Sequence, residues 1–333
     1  MKRRDVLTLG LTSLAGGLVA TYFAAAQSKY PERPIKLVIP FAPGGLSDVV
    51  GRLWADKVKT SLGPVFIENQ GGAGGLVGGA AVARAQADGY TLLLGSTASQ
   101  VVSPISTSTA PYDPVKDFAP ISILVVAALG IFINPSIPAR DLKELVDYAK
   151  ANPGKLSFGS GGVGSTTHLS GELFKSLTGA TGLVHVPYKG GTQPFTDLVS
   201  GHIPMTIANV TGQALALHRA GKVILLAVTT PGRVVVAPDI PTAVESGFPG
   251  MISHNFSGLF APAGTPRPVI DRIVDATRGA MFDDEFRQKL IASGFEPHPD
   301  LSPEAAQRFV DDDIGRWTPV IRTIGLKPEQ NTQ

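Results

Sequence analysis

The feature that most limits the fold of this chain is a repeated order of elements: a short apolar run, a Gly- and Ser-rich turn, and a pattern of helical spacing. Turns of this kind follow Pro40, Gly95 and Phe158, and a fourth is PYKGGTQ at residues 187–193. Strand-like runs that alternate with helical patterns are typical of α/β folds. We therefore predict an α/β protein whose turns gather at the carboxyl ends of its strands, where such sheets bind ligands.

The predicted elements before residue 129 form one module. Residues 35–40 are a strand candidate, and residues 48–62 place apolar side chains at helical spacing until Gly63 and Pro64 end the pattern. Residues 65–69 form the next strand candidate, and a strand at residues 91–95 runs into the turn STASQ.

A second module starts near Leu129, and Asp141 is the predicted N-cap of its first helix. The chain returns to the first module with a strand at residues 254–262, and helical patterns at residues 266–281 and 303–323 complete that module. Each module is expected to hold a mostly parallel sheet flanked by helices. We therefore predict two domains with a ligand cleft between them, composed of residues 27–128 plus 252–333 and of residues 129–251.

The first 26 residues have the composition of an export signal. A basic start at Arg3 and Arg4 precedes a mild apolar stretch, and three alanines at residues 24–26 provide the small residues of a cleavage site. The two arginines also resemble a twin-arginine signal, and a single membrane anchor is the alternative. The chain has no cysteine, which excludes disulfides and a lipid-modified cysteine. We predict a periplasmic protein.

Removal of this segment changes the charge of the protein. Residues 1–26 hold three basic residues and one acid, so the 29 basic and 27 acidic residues of the chain become 26 of each. The remaining chain is neutral and has no excess of basic residues to attract nucleic acid.

Several common site motifs are absent or incomplete. The turn at Gly44 and Gly45 has no lysine for a phosphate-binding loop, and residues 159–164 match a dinucleotide fingerprint without the later acid that holds the ribose. His168 and Glu172 lie four residues apart, a spacing that suits either two metal ligands or a histidine that packs at a helix start. We predict no cofactor, no metal and no catalytic residue.

Helix N-termini remain as the shared chemical feature of the turns. Their unpaired backbone amides and partial positive charge bind anions, and glycine permits a close approach. None of the four turns contains an arginine, so we predict a small anion held without a guanidinium clamp, although tight turns alone are the alternative. Asp48 would either stabilise its own helix or meet the ligand, directly or through water.

Seven stretches resemble the Bug family of periplasmic solute-binding proteins, the receptors of tripartite tricarboxylate-type transporters. The stretches are YPERPIKLVIPFAPGGLSD, VFIENQGGAGGLVGGAAVARAQADGYTLLLGS, YDPVKDFAPIS, FGSGGVGSTTHLSGELFK, HVPYKGGTQPFTDLVSGHI, IPTAVESGFPG and GLFAPAGTP. The resemblance implies a two-domain periplasmic binding protein of the venus-flytrap type. Crossing strands join the two domains, and the domains close on a small organic carboxylate. It also implies that backbone amides, hydroxyls and waters hold the ligand.

The resemblance implies a set of ligand-binding residues drawn from both domains. From the first domain they are Phe41, Ala42, Gly44, Gly45, Asp48, Ser96, Thr97 and Ala98. From the second they are Ser160, Gly164, Ser165, Thr166, His168, Tyr188, Lys189, Gly190 and Asn209. The turn STASQ departs from the family pattern, which affects the expected contacts to the far end of the ligand.

The implied function is capture of a di-, tri- or aromatic carboxylate by a monomeric receptor that serves two membrane subunits of a transporter. Phe41 and Ala98 favour an aromatic carboxylate or a linear dicarboxylate. The alternatives are a ligand sensor for a membrane kinase, an exported enzyme that uses the same cleft, and a nucleotide-binding regulator.

Overall fold

The computed structural model describes residues 30–188 and 192–325, and the predicted export signal lies outside this range. The strands are β1 (Ile35–Ile39), β2 (Val65–Asn69), β3 (Thr91–Ser96), β4 (Phe118–Ile133), β5 (Ser157–Ser160), β6 (Val184–Pro187), β7 (Met205–Asn209), β8 (Ile224–Val228), β9 (His254–Pro262) and β10 (Glu296–Pro297). The helices are α1 (Leu46–Leu62), α2 (Leu76–Ala83), α3 (Ser103–Ser106), α4 (Leu142–Ala151), α5 (Thr166–Thr178), α6 (Thr192–Ser200), α7 (Gly212–Arg219), α8 (Arg267–Met281), α9 (Asp284–Ala292) and α10 (Pro303–Thr323).

The strands form one mixed sheet in the order β2-β1-β3-β9-β4-β7-β5-β6, and β8 and β10 also pair with β4. β1 pairs in parallel with β2 and β3, whereas β9 runs antiparallel to β3. In the other half of the sheet, β5 pairs in parallel with β6 and β7. This mixture of parallel units and antiparallel crossings confirms the predicted α/β class.

The 16-residue strand β4 belongs to both halves of the sheet: the first half contains β2, β1, β3 and β9, and the second contains β7, β5 and β6. Residues 118–128 pair antiparallel with β9, and residues 129–133 pair antiparallel with β7. The partner therefore changes at Leu129, within an uninterrupted run of apolar side chains, most of them buried. A run of this kind suits a strand that is covered on both faces.

A buried hydroxyl cluster lies at this change of partner. The Thr229 hydroxyl donates to the carbonyls of Leu129 at 3.0 Å and Ser253 at 2.7 Å. The Ser253 hydroxyl donates to the Thr229 oxygen at 2.9 Å, and both side chains are completely buried. The cluster thus links the centre of β4 to Thr229, which follows β8, and to Ser253, which precedes β9.

Local sequence signals explain several element boundaries. The Asp141 side chain accepts a hydrogen bond from the Glu144 amide at 2.8 Å, which confirms the predicted cap of α4. The predicted strands at residues 65–69 and 254–262 and the helix at residues 303–323 are confirmed with the same bounds. α9 was not predicted, and the turn STASQ forms a single π-helical turn, Ala98–Val102, that leads into α3.

The C-terminal helix α10 packs against β4, the π-helical turn, α3 and α5. It therefore contacts elements that belong to both halves of the sheet. Within residues 30–188 and 192–325, no helix is long and apolar enough to cross a membrane.

We expect Thr229→Val to lower the free energy of unfolding by about 2 kcal/mol, because it preserves the side-chain shape and leaves the buried Ser253 carbonyl without its donor. Urea denaturation of both proteins measures this change. Thr323→Val is the matched control, since its hydroxyl bonds the Pro319 carbonyl on an exposed helix face. An equal effect of both substitutions would contradict the central role of the cluster.

Candidate functional site

The N-terminus of α1 has no side-chain cap. Gly45 is its N-cap residue, and the first helical hydrogen bond joins the Val49 amide to the Gly45 carbonyl at 3.1 Å. The amides of residues 46–48 have no acceptor in the described part of the chain. By contrast, side chains cap five other helices, through Asp141, Ser165, Thr211, Asp283 and Ser302. The start of α1 is therefore open to an anion.

The Asp48 carboxylate in the first turn of α1 is bound by protein donors. Its carboxylate accepts hydrogen bonds from the Gly44 amide at 2.9 Å and from Asn69 at 2.9 Å. It also accepts from Nε and Nη2 of Arg52, at 2.8 and 3.0 Å. The Arg52 guanidinium lowers the pKa of Asp48 to about 2. Of the two roles that the sequence left open for Asp48, this geometry supports the structural one.

Two adjacent glycines of the loop serve different purposes. Gly44 has a φ of 86°, a left-handed conformation that strains other residues. Gly45 has an ordinary φ of −79°, and a Cβ atom there would lie 3.8 Å from the Ala42 carbonyl. Nothing inside the protein therefore requires glycine at residue 45, which is consistent with close approach of a ligand.

The open helix start borders a cavity of about 270 Å³. Its walls come from the β1–α1 loop, the turn after β3, the strands β4 and β9, and the residue before β10. The lining residues are Phe41, Gly45, Leu46, Ser47, Ser96, Ala98, Val125, Ala127, Asn255, Phe256, Ser257 and Phe295. None of these side chains is ionisable, so backbone dipoles are the positive electrostatic feature of this cavity.

A second cavity, of about 420 Å³, lies beside the first and shares Leu46 with it. The loop after β5, the helices α5, α6 and α7, the strand β7 and the residue before α7 supply the rest of its lining. The members are Gly161, Thr167, Pro194, Phe195, Thr196, Val199, Ser200, Thr206, Ile207, Ala208, Asn209, Thr211, Gln213, Ala214 and Leu217. Between the cavities, the Asn255 side-chain amide donates to the Asn209 amide oxygen at 3.1 Å.

The loop after β5 is closed by its own hydrogen bonds. The Gly164 amide donates to Nδ1 of His168 at 3.1 Å, and the Ser165 hydroxyl donates to the Gly162 carbonyl at 2.7 Å. The Ser160 hydroxyl lies 2.6 Å from Nε2 of His185. Burial lowers the pKa of both histidines to about 4, so they are neutral at pH 7.

The structure brings part of the predicted set to the cavities. Residues of the set that line them are Phe41, Gly45, Ser96, Ala98 and Asn209. Residues that lie outside the two linings are Ala42, Gly44, Asp48, Thr97, Ser160, Gly164, Ser165, Thr166, His168 and Tyr188. Ligand contact of the whole set stays a prediction, and Lys189 and Gly190 lie outside the described residues.

Some of the residues outside the linings support the loops. The Thr97 hydroxyl accepts from the Phe256 amide at 3.0 Å, and the Tyr188 hydroxyl donates to Asp197 at 2.6 Å. The sequence reasoning missed the strand residues of the first cavity because no Gly-rich turn marks them. Phe295 was missed together with α9, which immediately precedes it.

Among the described residues, no third metal ligand joins His168 and Glu172. Nε2 of His168 lies 3.9 Å from the Glu172 carboxylate, and Lys175 pairs with that carboxylate at 2.9 Å. No group of three metal-ligating side chains occurs in the described part of the chain. The histidine packs at the start of α5, stacked on His185 with 3.9 Å between ring centroids.

A mixed sheet crossed by one long strand, with ligand-sized cavities beside an open helix start, is consistent with an α/β binding protein of two domains. The family model for the tripartite tricarboxylate transporter family receptor matches residues 50–326 of this chain. The chain belongs to this family, and its Bug-type resemblance is thereby confirmed.

Solved structures support the assignment along most of the chain. The periplasmic binding protein BugD is 35% identical, covers 90% of this chain and 99% of its own, and has a TM-score of 0.70. An R. palustris protein solved with adipate is 34% identical, with coverage of 89% and 99% and a TM-score of 0.74. MatC from Rhodopseudomonas palustris, solved with malate, is 32% identical, with coverage of 88% and 100% and a TM-score of 0.71.

We expect Gly45→Ala to fold with a loss of at most about 1 kcal/mol, because alanine accepts the observed backbone angles. The added methyl group would occupy the open helix start and weaken binding of an anionic ligand by at least about tenfold. Isothermal titration measures the affinity. Gly279→Ala in α8, with open space around its Cβ position, is the matched control and should leave the affinity unchanged.

We expect Asp48→Asn to lower the free energy of unfolding by about 2 kcal/mol at pH 7, because the pKa of Asp48 is depressed from 3.8 to about 2. This contribution is complete above pH 4 and disappears as the pH falls through 2, so wild type and variant should converge in acid. Urea unfolding at several pH values measures the difference. Asp56→Asn on the exposed face of α1 is the control, and a difference that is constant with pH would refute the assignment.

Proposed function

We propose that this protein is an extracytoplasmic receptor that captures a small organic carboxylate in the cleft between two domains. The observation that carries the proposal is the uncapped start of α1, whose free amides border two cavities with no ionisable lining residue. Such a site stabilises one compact negative charge with fixed dipoles. The acids present in two related structures, adipate and malate, belong to the same chemical class.

We assign the domains to residues 27–128 plus 252–333 and to residues 129–251. The change of β4 partner at Leu129 and the return of the chain at Ser253 support this division. A ligand that touches both domains would favour the closed arrangement through its additional contacts there. The hydroxyl cluster around Thr229 lies where the rotation would occur.

Binding without catalysis is part of the proposal. Ser160 and His185 have the atoms of a nucleophile and base, but Ser160 is completely buried and its hydroxyl also accepts from the Gly162 amide at 3.1 Å. No carboxylate orients His185 among the contacts of the described chain. The pair therefore supports the loop, and the family's members are receptors.

We further propose that residues 1–26 direct export, that the mature receptor acts in the periplasm as a monomer, and that it delivers its ligand to two membrane subunits. The receptor description of the family and the periplasmic origin of BugD support this placement. The neutral charge of the chain after residue 26 is consistent with a small-molecule partner rather than nucleic acid.

Thermal unfolding with benzoate, adipate, malate and citrate tests the proposal. At about 100 times its dissociation constant, a bound acid should add about 2.7 kcal/mol, a rise of several degrees in Tm. The acid should be recovered unchanged after long incubation, and NADH should give no shift. Steady conversion of the acid, or a shift with NADH alone, would overturn the proposal.

A further inference from the structure

We propose that the ligand is an aromatic monocarboxylate, with its carboxylate at the start of α1 and its ring in the cavity of about 270 Å³. This inference rests on the receptor function proposed above and narrows its substrate class. It follows from the arrangement of the cavity floor, the state of its polar groups and its volume.

Two cross-strand pairs form the floor of this cavity. Ala127 on β4 pairs with Asn255 on β9, and Val125 pairs with Ser257 in the same antiparallel ladder. Residues two apart on a strand face the same side, so these four side chains form one continuous patch. Val125 and Ala127 make half of this patch apolar.

Two aromatic residues, Phe41 and Phe295, border the patch. Phe41 lies in the β1–α1 loop, and its carbonyl accepts a hydrogen bond from the Asn69 side chain at 3.0 Å, which fixes the loop. Phe295, which is 2% exposed, approaches from the segment before β10. Phe256 lies between Asn255 and Ser257 on β9, so its ring faces the opposite side of the sheet and packs on Phe309. Aromatic side chains favour edge and offset contacts with another ring.

The polar side chains that line the cavity are neutral, so they offer no cation to a second carboxylate. The Asn255 side-chain amide already donates to Asn209, and the Ser96 hydroxyl accepts from the Ser99 amide at 3.4 Å. The hydroxyls of Ser47, Ser96 and Ser257 remain as neutral donors, since none of them donates a hydrogen bond to a described residue. A carboxylate held by neutral hydroxyls without a cation is stabilised less than one at the helix start, where oriented amides add a partial positive charge.

The volume agrees with a ring. An apolar protein cavity of about 150 Å³ is sufficient for benzene. The cavity of about 270 Å³ therefore has room for a phenyl ring together with a carboxylate near the amides of Leu46 and Ser47. The small side chain of Ala127 leaves space for the ring above the floor.

Isothermal titration with benzoate, 3-phenylpropionate, adipate and malate tests this inference. We expect the better aromatic acid to bind at least about tenfold more tightly than either dicarboxylate. Tighter binding of adipate or malate would overturn the aromatic assignment and leave the receptor function intact. Absence of binding by every acid of the wider panel would overturn the receptor function itself.

A pair of variants locates the ring. Ala127→Leu adds volume to the floor and should weaken binding of the aromatic acid at least about tenfold, while acetate, which needs only the helix start, keeps its affinity. Val115→Leu, at an exposed residue, is the matched control and should change neither affinity. Thermal unfolding without ligand verifies that both variants fold. Unchanged aromatic binding in a folded Ala127→Leu protein would refute the proposed position.

If Ala127→Leu fails to fold, Phe295→Leu gives the second test, because it keeps an apolar side chain and removes a ring from the wall. We expect weaker binding of the aromatic acid and an unchanged affinity for acetate. Equal losses for both acids, or no loss for either, would contradict a ring seated against Phe295.

Discussion

The continuity of β4 is the constraint that joins the two halves of the sheet and fixes their relative positions. One strand pairs with β9 along its first part and with β7 along its last, so its position fixes both sets of neighbouring strands. The Thr229 hydroxyl bonds the Leu129 and Ser253 carbonyls at the point where the partners change, and the Ser253 hydroxyl donates to the Thr229 oxygen. Since buried carbonyl groups need donors, these small side chains allow a compact crossing without apolar bulk.

The site develops from the same architecture. The carboxyl ends of β1 and β3 bring their turns beside the crossing strands, where the open start of α1 meets the floor made by β4 and β9. The Asp48 carboxylate holds the loop through the Gly44 amide, and it forms an ion pair with Arg52. Neither charged side chain lines the cavity. An anion then encounters oriented amides without a competing fixed charge, an arrangement that suits reversible binding.

Sequence patterns identified much of the fold because local physics determines it. Apolar periodicity and an N-cap at Asp141 predicted α4, and the pattern of residues 303–323 predicted the full length of α10. The same reasoning missed α9, although Asp283 caps it, and it did not foresee that STASQ would form a π-helical turn. That turn packs against α10, so its conformation depends on a contact distant in sequence.

The sequence by itself determined the α/β class, the Gly-rich loops and the family, because strand and helix periodicity and turn chemistry act over short distances. Only the tertiary structure decided which residues line the two cavities. Val125, Asn255 and Phe295 become neighbours through strand pairing between segments more than 100 residues apart. It also shows which donors hold the Asp48 carboxylate, because the geometry of Arg52 and Asn69 around it exists only in the folded chain.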